Sequence, residues 1–598
     1  MQKGKTMSKP ARLRVPFVRE LVFCVLLWVL VWSPQALTAA TETYEVQVRA
    51  DVKIPMRDGV ELSANIFLPK AEDEFPVILV RTPYGKGNEK NGDGLFYAGR
   101  GYVVVMQDCR GKGASQGKWE PFASEGDDGR DTQKWILDQP WCNGNIGTMG
   151  GSYVGFTQWI SAPNAGEHLK AMFPVVPLVD TYGDAAYTDG ALNISLMMGW
   201  GSLVSTDLTN PAAILAWGQK GWDKAFRTLP LSEWDRAVGG KVQYLRDWVA
   251  HPQFDDYWAV RGVHGQWRDI TAPICAIDGW YDIFARSIFG HVNAVRSMSR
   301  SQAARRHQHL IMGPWGHGIS RDGKVGDLNF GKESVMNLRD IQTKWFDYWL
   351  KGQRTEADDL PAFRIFVMGR NQWRDEEEWP LKRTKYTPYY LHSRGSANTA
   401  EGDGSLNTTK PSTEPSDRFI YDPNDPVPTA GGCNLIGCPA GPHDQSEVEK
   451  RSDVLVFTSK PLESELEVTG PVKVVLYAST TAKDTDWTAK LVDVHPDGRA
   501  FNLCDGIVRA RYRDSKGRPT LVEPGRTYRY EIDVWVTSDA FLPGHRIRVE
   551  ISSSNFPRFD RNLNTGETFG KGVTWIKATQ TILHDAQHPS HILLPVIP

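Results

Sequence analysis

Three short stretches of this 598-residue chain carry residue types that together could perform acyl transfer. The first is Gly150-Gly151-Ser152-Tyr153-Val154-Gly155, a serine hydroxyl set among glycines. It follows a Gly-punctuated run, Asn145 to Met149, that reads as a buried strand, and precedes Tyr153 to Ala162, whose apolar residues recur at helical spacing. A serine on a sharp strand-to-helix turn presents its Oγ as a nucleophile. The glycines allow the unusual dihedrals of such a turn and leave room beside the serine. The generic spacing is G-x-S-x-G, and here the second glycine comes one residue late. Alone, a Gly-rich turn with a serine is more often only a turn, so its partners decide.

Two partners follow in order. The apolar run Pro273 to Ile277 leads into Asp278-Gly279-Trp280-Tyr281-Asp282, and His309 to Met312 leads into Gly313-Pro314-Trp315-Gly316-His317-Gly318. Asp282 and His317 are thereby placed on loops at the C-terminal ends of strands, where parallel sheets hold their sites. His307 and His309 precede or begin the second strand and so lie away from that end. The order Ser…Asp…His is that of an α/β-hydrolase. Ser152 needs a base, His317 can be that base, and Asp282 can fix the imidazole tautomer and stabilise its cation.

With these residues the chain resembles the cocaine esterase / X-Pro dipeptidyl-peptidase group of serine hydrolases, which includes α-amino-acid ester hydrolases and glutaryl cephalosporin acylases. That group uses G-x-S-Y-x-G, G-W-Y-D and G-P-W-x-H, present here as Gly150–Gly155, Gly279–Asp282 and Gly313–His317. Further matching stretches are Arg57–Val60, Arg81–Tyr84, Gln107–Gly111 and Asn555–Asp560. The similarity runs from about residue 45 to the end. It implies an oxyanion hole made by the backbone N–H of Tyr153 and the hydroxyl of Tyr84, the tyrosine of Arg81-Thr82-Pro83-Tyr84.

The elements that must position these residues divide the chain. A segment that reads as a signal peptide occupies 1–40, with Lys3 to Arg19 basic, Leu21 to Trp32 apolar and Ala36 to Ala40 small. Its twelve apolar residues fall short of the roughly 20 of a membrane span, so export without stable membrane insertion is expected, an uncleaved anchor being the alternative. From 41 to 180, strand-like runs (Val77–Val80, Tyr102–Met106) alternate with a helix candidate, Asp127–Leu137, the rhythm of a parallel sheet. Residues 181–265 carry helical, Trp- and Leu-containing stretches, Asn210–Lys220 and Glu233–His251, and resemble the group's helical cap. The sheet resumes over 266–370, with a last amphipathic helix at Ile341–Lys351. From 371 to 598 short alternating runs such as Val472–Tyr477 and Arg546–Ile551 signal a β-sandwich, in the group a jelly roll. Gly395 to Ser416, rich in Gly, Ser, Thr and Pro, reads as a flexible loop.

Net charge is −2 and 22 residues are Trp, which points to a soluble globular enzyme and away from a nucleic-acid partner. Cys433 and Cys438 could pair as a disulfide in an oxidising compartment, whereas Cys275 reads as a core thiol. No Cys or His cluster stands at ligand spacing, so neither metal nor cofactor is expected.

The residues just after the G-W-Y-D motif bear on specificity. The α-amino-acid ester hydrolases carry acids there that hold a substrate ammonium, whereas this chain has Ile283, Phe284 and Ala285. Phe284 and Ile283 are therefore expected as apolar walls of a pocket for a neutral or aromatic acyl group, with Asp184 as a lone alternative carboxylate. The favoured partner is a small ester or amide. The alternatives are a short peptide cleaved in X-Pro dipeptidyl-peptidase fashion, and a catalytically dead protein that binds through its sandwich.

Overall fold

The computed structural model describes residues 44–205 and 222–598. The signal peptide read at 1–40 and the helix read at Asn210–Lys220 lie outside the described residues. The first domain is a ten-stranded sheet built from β1 (Val46–Pro55), β2 (Glu61–Pro69), β3 (Phe75–Thr82), β4 (Val103–Asp108), β5 (Cys142–Gly151), β6 (Leu169–Val175), β7 (Ile274–Gly279), β8 (Gln308–Gly313), β9 (Phe363–Val367) and β10 (Gln372–Glu376). Their spatial order is β1-β2-β4-β3-β5-β6-β7-β8-β9-β10. The run from β4 to β9 is parallel, and β1, β2 and β10 add antiparallel edges. β4 (Val-Val-Val-Met-Gln-Asp) is buried along its whole length, as a strand covered on both faces by helices must be.

The helices that matter for the site are α1 (Gly92–Ala98), α2 (Glu125–Leu137), α3 (Tyr153–Ser161), α4 (Gln243–Ala250), α5 (Ala285–Met298) and α6 (Leu338–Lys351). α6 starts where the Asn337 side chain accepts from Asp340 N and stops at Gly352, left-handed at φ 68°. It presses Phe346 and Leu350 onto Gly147 of β5, where an added Cβ would come within 2.9 Å of both side chains. That contact accounts for the glycine at position 147.

Between β6 and β7 the described part of the cap is largely helical. Two π-helical turns, Thr181–Ala186 and Ser195–Trp200, flank a two-residue-stranded hairpin, and Leu231–Val238 and α4 follow. Leu196, Met198, Trp200, Trp234, Leu245 and Trp248 close an apolar cluster over the sheet. No helix of the described residues is long and apolar enough to cross a membrane.

β10, which lies just past the boundary read at 370–371, remains hydrogen-bonded to β9. The domain beyond it is all-β, eleven strands between Lys385 and Ile597, with long central strands at Leu466–Thr480 and Tyr528–Phe541. It docks by backbone: Met368 N donates to Ser538 O at 3.0 Å and Ala540 N to Met368 O at 2.9 Å. The stretch 395–416 is not the loose loop its composition suggested. Ser405–Asn407 forms a strand against Tyr390–His392, and Ala397 N donates to Asp417 Oδ1 at 2.8 Å.

A buried histidine holds that region. The His584 side chain is fully enclosed, with Nε2 at 2.8 Å from Asp417 Oδ2 and Nδ1 at 3.2 Å from Glu414 Oε2. Burial opposes its charge, but the bond and charge of Asp417, then of Glu414, outweigh that and raise its pKa above the ordinary histidine value. A raised folded-state pKa means the charged ring stabilises the fold fully below the unfolded value, about 6.5, and that this contribution fades as pH rises through the folded value. The difference in Tm between wild type and His584→Gln should therefore be larger at pH 6 than at alkaline pH. Thermal scans giving a pH-independent difference would refute the role.

Candidate active site

Ser152 sits between β5 and α3 at φ 58°, ψ −123°, a region that side-chain-bearing residues rarely occupy. Its N–H is held by Val175 O of the neighbouring strand at 2.9 Å. Gly150, at φ 137°, lies where a Cβ would meet Val154 Cγ1 at 2.2 Å. Gly155 lies where a Cβ would come within 2.8 Å of Pro177. The late glycine thus serves the packing of α3 against the β6 exit, while Val154 fills the position of the generic motif's second glycine.

Asp282 and His317 come from the ends of β7 and β8, which are hydrogen-bonded neighbours. Their loops are zipped together, with Trp280 N donating to Gly313 O and Tyr281 N to Trp315 O, both at 2.9 Å. A Cβ on Gly279 would strike Trp315 O at 2.2 Å, so only glycine permits this approach. His317 Nδ1 lies 2.5 Å from Asp282 Oδ2, and its Nε2 lies 2.8 Å from Ser152 Oγ. A carboxylate only accepts, so Nδ1 carries the proton and Nε2 is left to accept from the serine. Asp282 is fully buried, and its other oxygen accepts from Phe284 N at 2.7 Å. His309, by contrast, is buried at the start of β8 with Nδ1 2.8 Å from Pro361 O. Burial lowers its pKa to about 4, and it stays neutral away from the site.

Two donors stand beside Ser152. Tyr153 begins α3, so its N–H has no acceptor within the helix. The Tyr84 hydroxyl is within hydrogen-bonding reach of Ser152 and accepts from Trp200 Nε1 at 3.2 Å. Burial pushes that phenol up to about 12, so it remains a neutral donor. The Tyr153 ring is stacked on Phe122 at 4.8 Å and on Trp200 at 5.8 Å. Its hydroxyl accepts from Phe122 N and reaches Glu125 Oε1 at 3.0 Å. Glu125 in turn pairs with the fully buried Arg81 at 2.9 Å. The same arginine opens the Arg81–Tyr84 stretch, so one buried pair ties both donors to the sheet.

A cavity of about 650 Å³ opens onto Ser152 and His317. Its apolar wall includes Met149, Val154, Val175, Trp200 and Leu435, and Lys86, Lys90 and Asp93 stand on its polar side. Lys86 is held by Asp108 and Asp51, and Asp93 by Arg339 at 2.7 Å. Phe284 and Ile283 do not line this cavity. Both are buried in the cap cluster, where Phe284 sets its ring edge against the His317 imidazole at 5.3 Å. Asp184 is also committed elsewhere. It accepts from Val179 N and Asp180 N, from Ser287 Oγ, and from His291 Nε2 at 3.2 Å, the last two one turn apart on α5.

Sequence reasoning missed Trp200 and Leu435. Trp200 lies in a cap whose turns carry no motif, and Leu435 comes from the all-β domain, inside the Cys433–Cys438 segment. That segment forms no disulfide. Cys433 and Cys438 are free thiols, one directed at Trp280 O and the other at Ser195 Oγ. Each packs against the catalytic side of the molecule, and the loop serves to place Leu435 and Ile436 there.

Residues 58–319 match the model of the X-Pro dipeptidyl-peptidase (S15 family), and residues 355–593 match the X-Pro dipeptidyl-peptidase C-terminal non-catalytic domain. The chain is 39% identical to cocaine esterase of Rhodococcus sp. (strain MB1 Bresler), over 92% of this chain and 98% of that protein. It belongs to the cocaine esterase / X-Pro dipeptidyl-peptidase family of serine hydrolases. It is also similar to two solved structures. An α-amino acid ester hydrolase gives a TM-score of 0.77 at 26% identity, covering 94% of this chain and 98% of that one. An aminopeptidase from a marine sediment archaeon, Thaumarchaeota archaeon, gives 0.76 at 26% identity, covering 95% and 99%. The protein is accordingly a serine hydrolase acting on esters or peptides.

A phenol aimed at the serine contributes when charge develops on the substrate oxygen and not before. Tyr84→Phe should therefore lower kcat by about 10²–10³-fold with little change in KM, the usual loss for one side-chain oxyanion donor. Steady-state kinetics on a chromogenic ester reads this directly, and an unchanged kcat would remove Tyr84 from the site's chemistry.

Proposed function

We propose that this serine hydrolase cleaves esters or amides of small neutral or aromatic acyl groups through an acyl-enzyme. The observation that carries the reading is the continuous hydrogen-bonded chain Ser152–His317–Asp282, with Tyr84 converging on the same serine. Ser152 Oγ attacks the acyl carbonyl while His317 Nε2 takes its proton, and Asp282 stabilises the imidazolium. The Tyr153 N–H and the Tyr84 hydroxyl receive the negative charge of the tetrahedral intermediate. His317 then returns the proton to the departing alcohol or amine, and water repeats the sequence on the acyl-enzyme.

The acyl preference is supported by the wall of Met149, Val154, Trp200 and Leu435, and by the commitment of Asp184 to His291. A substrate ammonium set against that apolar wall loses hydration that the wall does not replace. A second reading, an aminopeptidase or α-amino ester hydrolase, is favoured by Asp93 on the cavity's polar side and by the likeness to two structures of those kinds. Asp93 already carries the Arg339 ion pair, which weakens that reading.

Matched esters separate the two. Neutral or aromatic acyl esters should exceed the corresponding α-amino-acyl esters by at least about tenfold in kcat/KM, roughly 1.4 kcal/mol of discrimination. Ser152→Ala should lose fluorophosphonate labelling and several powers of ten in turnover while keeping its fold. A free-amine ester or X-Pro anilide as the better substrate would reverse the assignment. We also propose export, supported by the basic, apolar and small-residue order of residues 1–40. Amino-terminal sequencing of the native protein should begin near Thr41, and a start at the initiator methionine in a cytosolic fraction would refute it.

A further inference from the structure

The all-β domain holds a cluster that the hydrolase chemistry does not use. The strand Asp486–Val494 pairs antiparallel with Arg546–Ser552, with Val494 opposite Arg546. One step beyond the ladder, His495 therefore faces His545. Asp493 precedes His495 by two, across the strand's last residue. The register gathers all three at one end of the sheet. His545 Nδ1 lies 2.9 Å from each Asp493 oxygen, His495 Nε2 lies 3.4 Å from Asp493 Oδ2, and the two imidazole centroids are 4.4 Å apart.

These are the dimensions of a divalent metal site. A tetrahedral ion with ligand bonds of 2.0–2.1 Å sets neighbouring ligand atoms about 3.3 Å apart, close to the 2.9 Å and 3.4 Å found here. One ligand atom from each of the three residues lies within 4.8 Å of the others. A divalent cation placed among them would be held by the Asp493 carboxylate and by one ring nitrogen of each imidazole.

We propose that Asp493, His495 and His545 bind a transition-metal ion of the zinc class, with a fourth position left for water. No metal was expected from sequence because His495 and His545 are 50 positions apart and only strand register unites them. The ion would tie the end of the strand Asp486–Val494 to the start of Arg546–Ser552. Ser152 chemistry does not pass through it.

Full-length protein stripped with a chelator should take up one equivalent of Zn²⁺ against a chromophoric competitor and gain several degrees in Tm. His495→Gln and His545→Gln keep a donor for Asp493 but replace the ligand nitrogen. Each should weaken zinc binding by at least about tenfold, as loss of support to a metal site does, with ester hydrolysis unchanged. Absence of zinc uptake by wild type at micromolar concentration overturns the proposal. So does binding that survives both substitutions, or that disappears only in His317→Ala and so belongs to the active site.

Discussion

A serine held at a positive φ is the constraint on which this structure turns. Such a backbone persists only where its surroundings leave it no alternative. Here Val175 fixes the serine amide, Gly150 and Val154 interlock before and after it, and Gly155 lets α3 lie against Pro177. Behind the turn, Tyr153 is clamped by Phe122, Trp200 and Glu125, and Glu125 by Arg81. The buried Arg81–Glu125 pair is costly to form and more costly to break on one side, which suits an anchor better than a source of net stability.

Everything else is brought to the serine. The loops after β7 and β8 deliver Asp282 and His317 as one zipped unit, with the Phe284 ring nearly perpendicular to the imidazole. Trp200 descends from the cap to orient the Tyr84 hydroxyl. Leu435 arrives from the all-β domain. The reacting centre is thus a property of one sheet, while the space in front of it is enclosed by all three parts of the chain.

Legibility from sequence tracks this division. The meeting of Ser152, Asp282 and His317 was legible because each belongs to a local strand-and-turn pattern and because their chain order matches that of an α/β-hydrolase. The placing of Tyr84 beside Ser152 was reachable only through resemblance, since the Trp200 that bonds its hydroxyl is more than a hundred residues away. Phe284 and Ile283 are apolar and close to Asp282, as their positions implied, but spacing cannot say which side of a helix start faces the cavity. Cys433 and Cys438 have a spacing that permits a bond, yet their thiols are occupied by Trp280 and Ser195. Asp184 looked available until α5 presented Ser287 and His291 to it. The contacts of Cys433, Cys438 and Asp184 are made with residues distant in sequence, which no local pattern encodes.

Leu435 carries a consequence for how such a protein can diversify. One residue of the cavity's apolar wall, Leu435, is borne by a loop of the all-β domain, whereas the others come from the sheet and the cap. Substitutions there can reshape the pocket without disturbing the strained turn or the zipped loops of the hydrolase sheet. Acceptance of new substrates and preservation of the reaction are therefore open to selection on different parts of the gene.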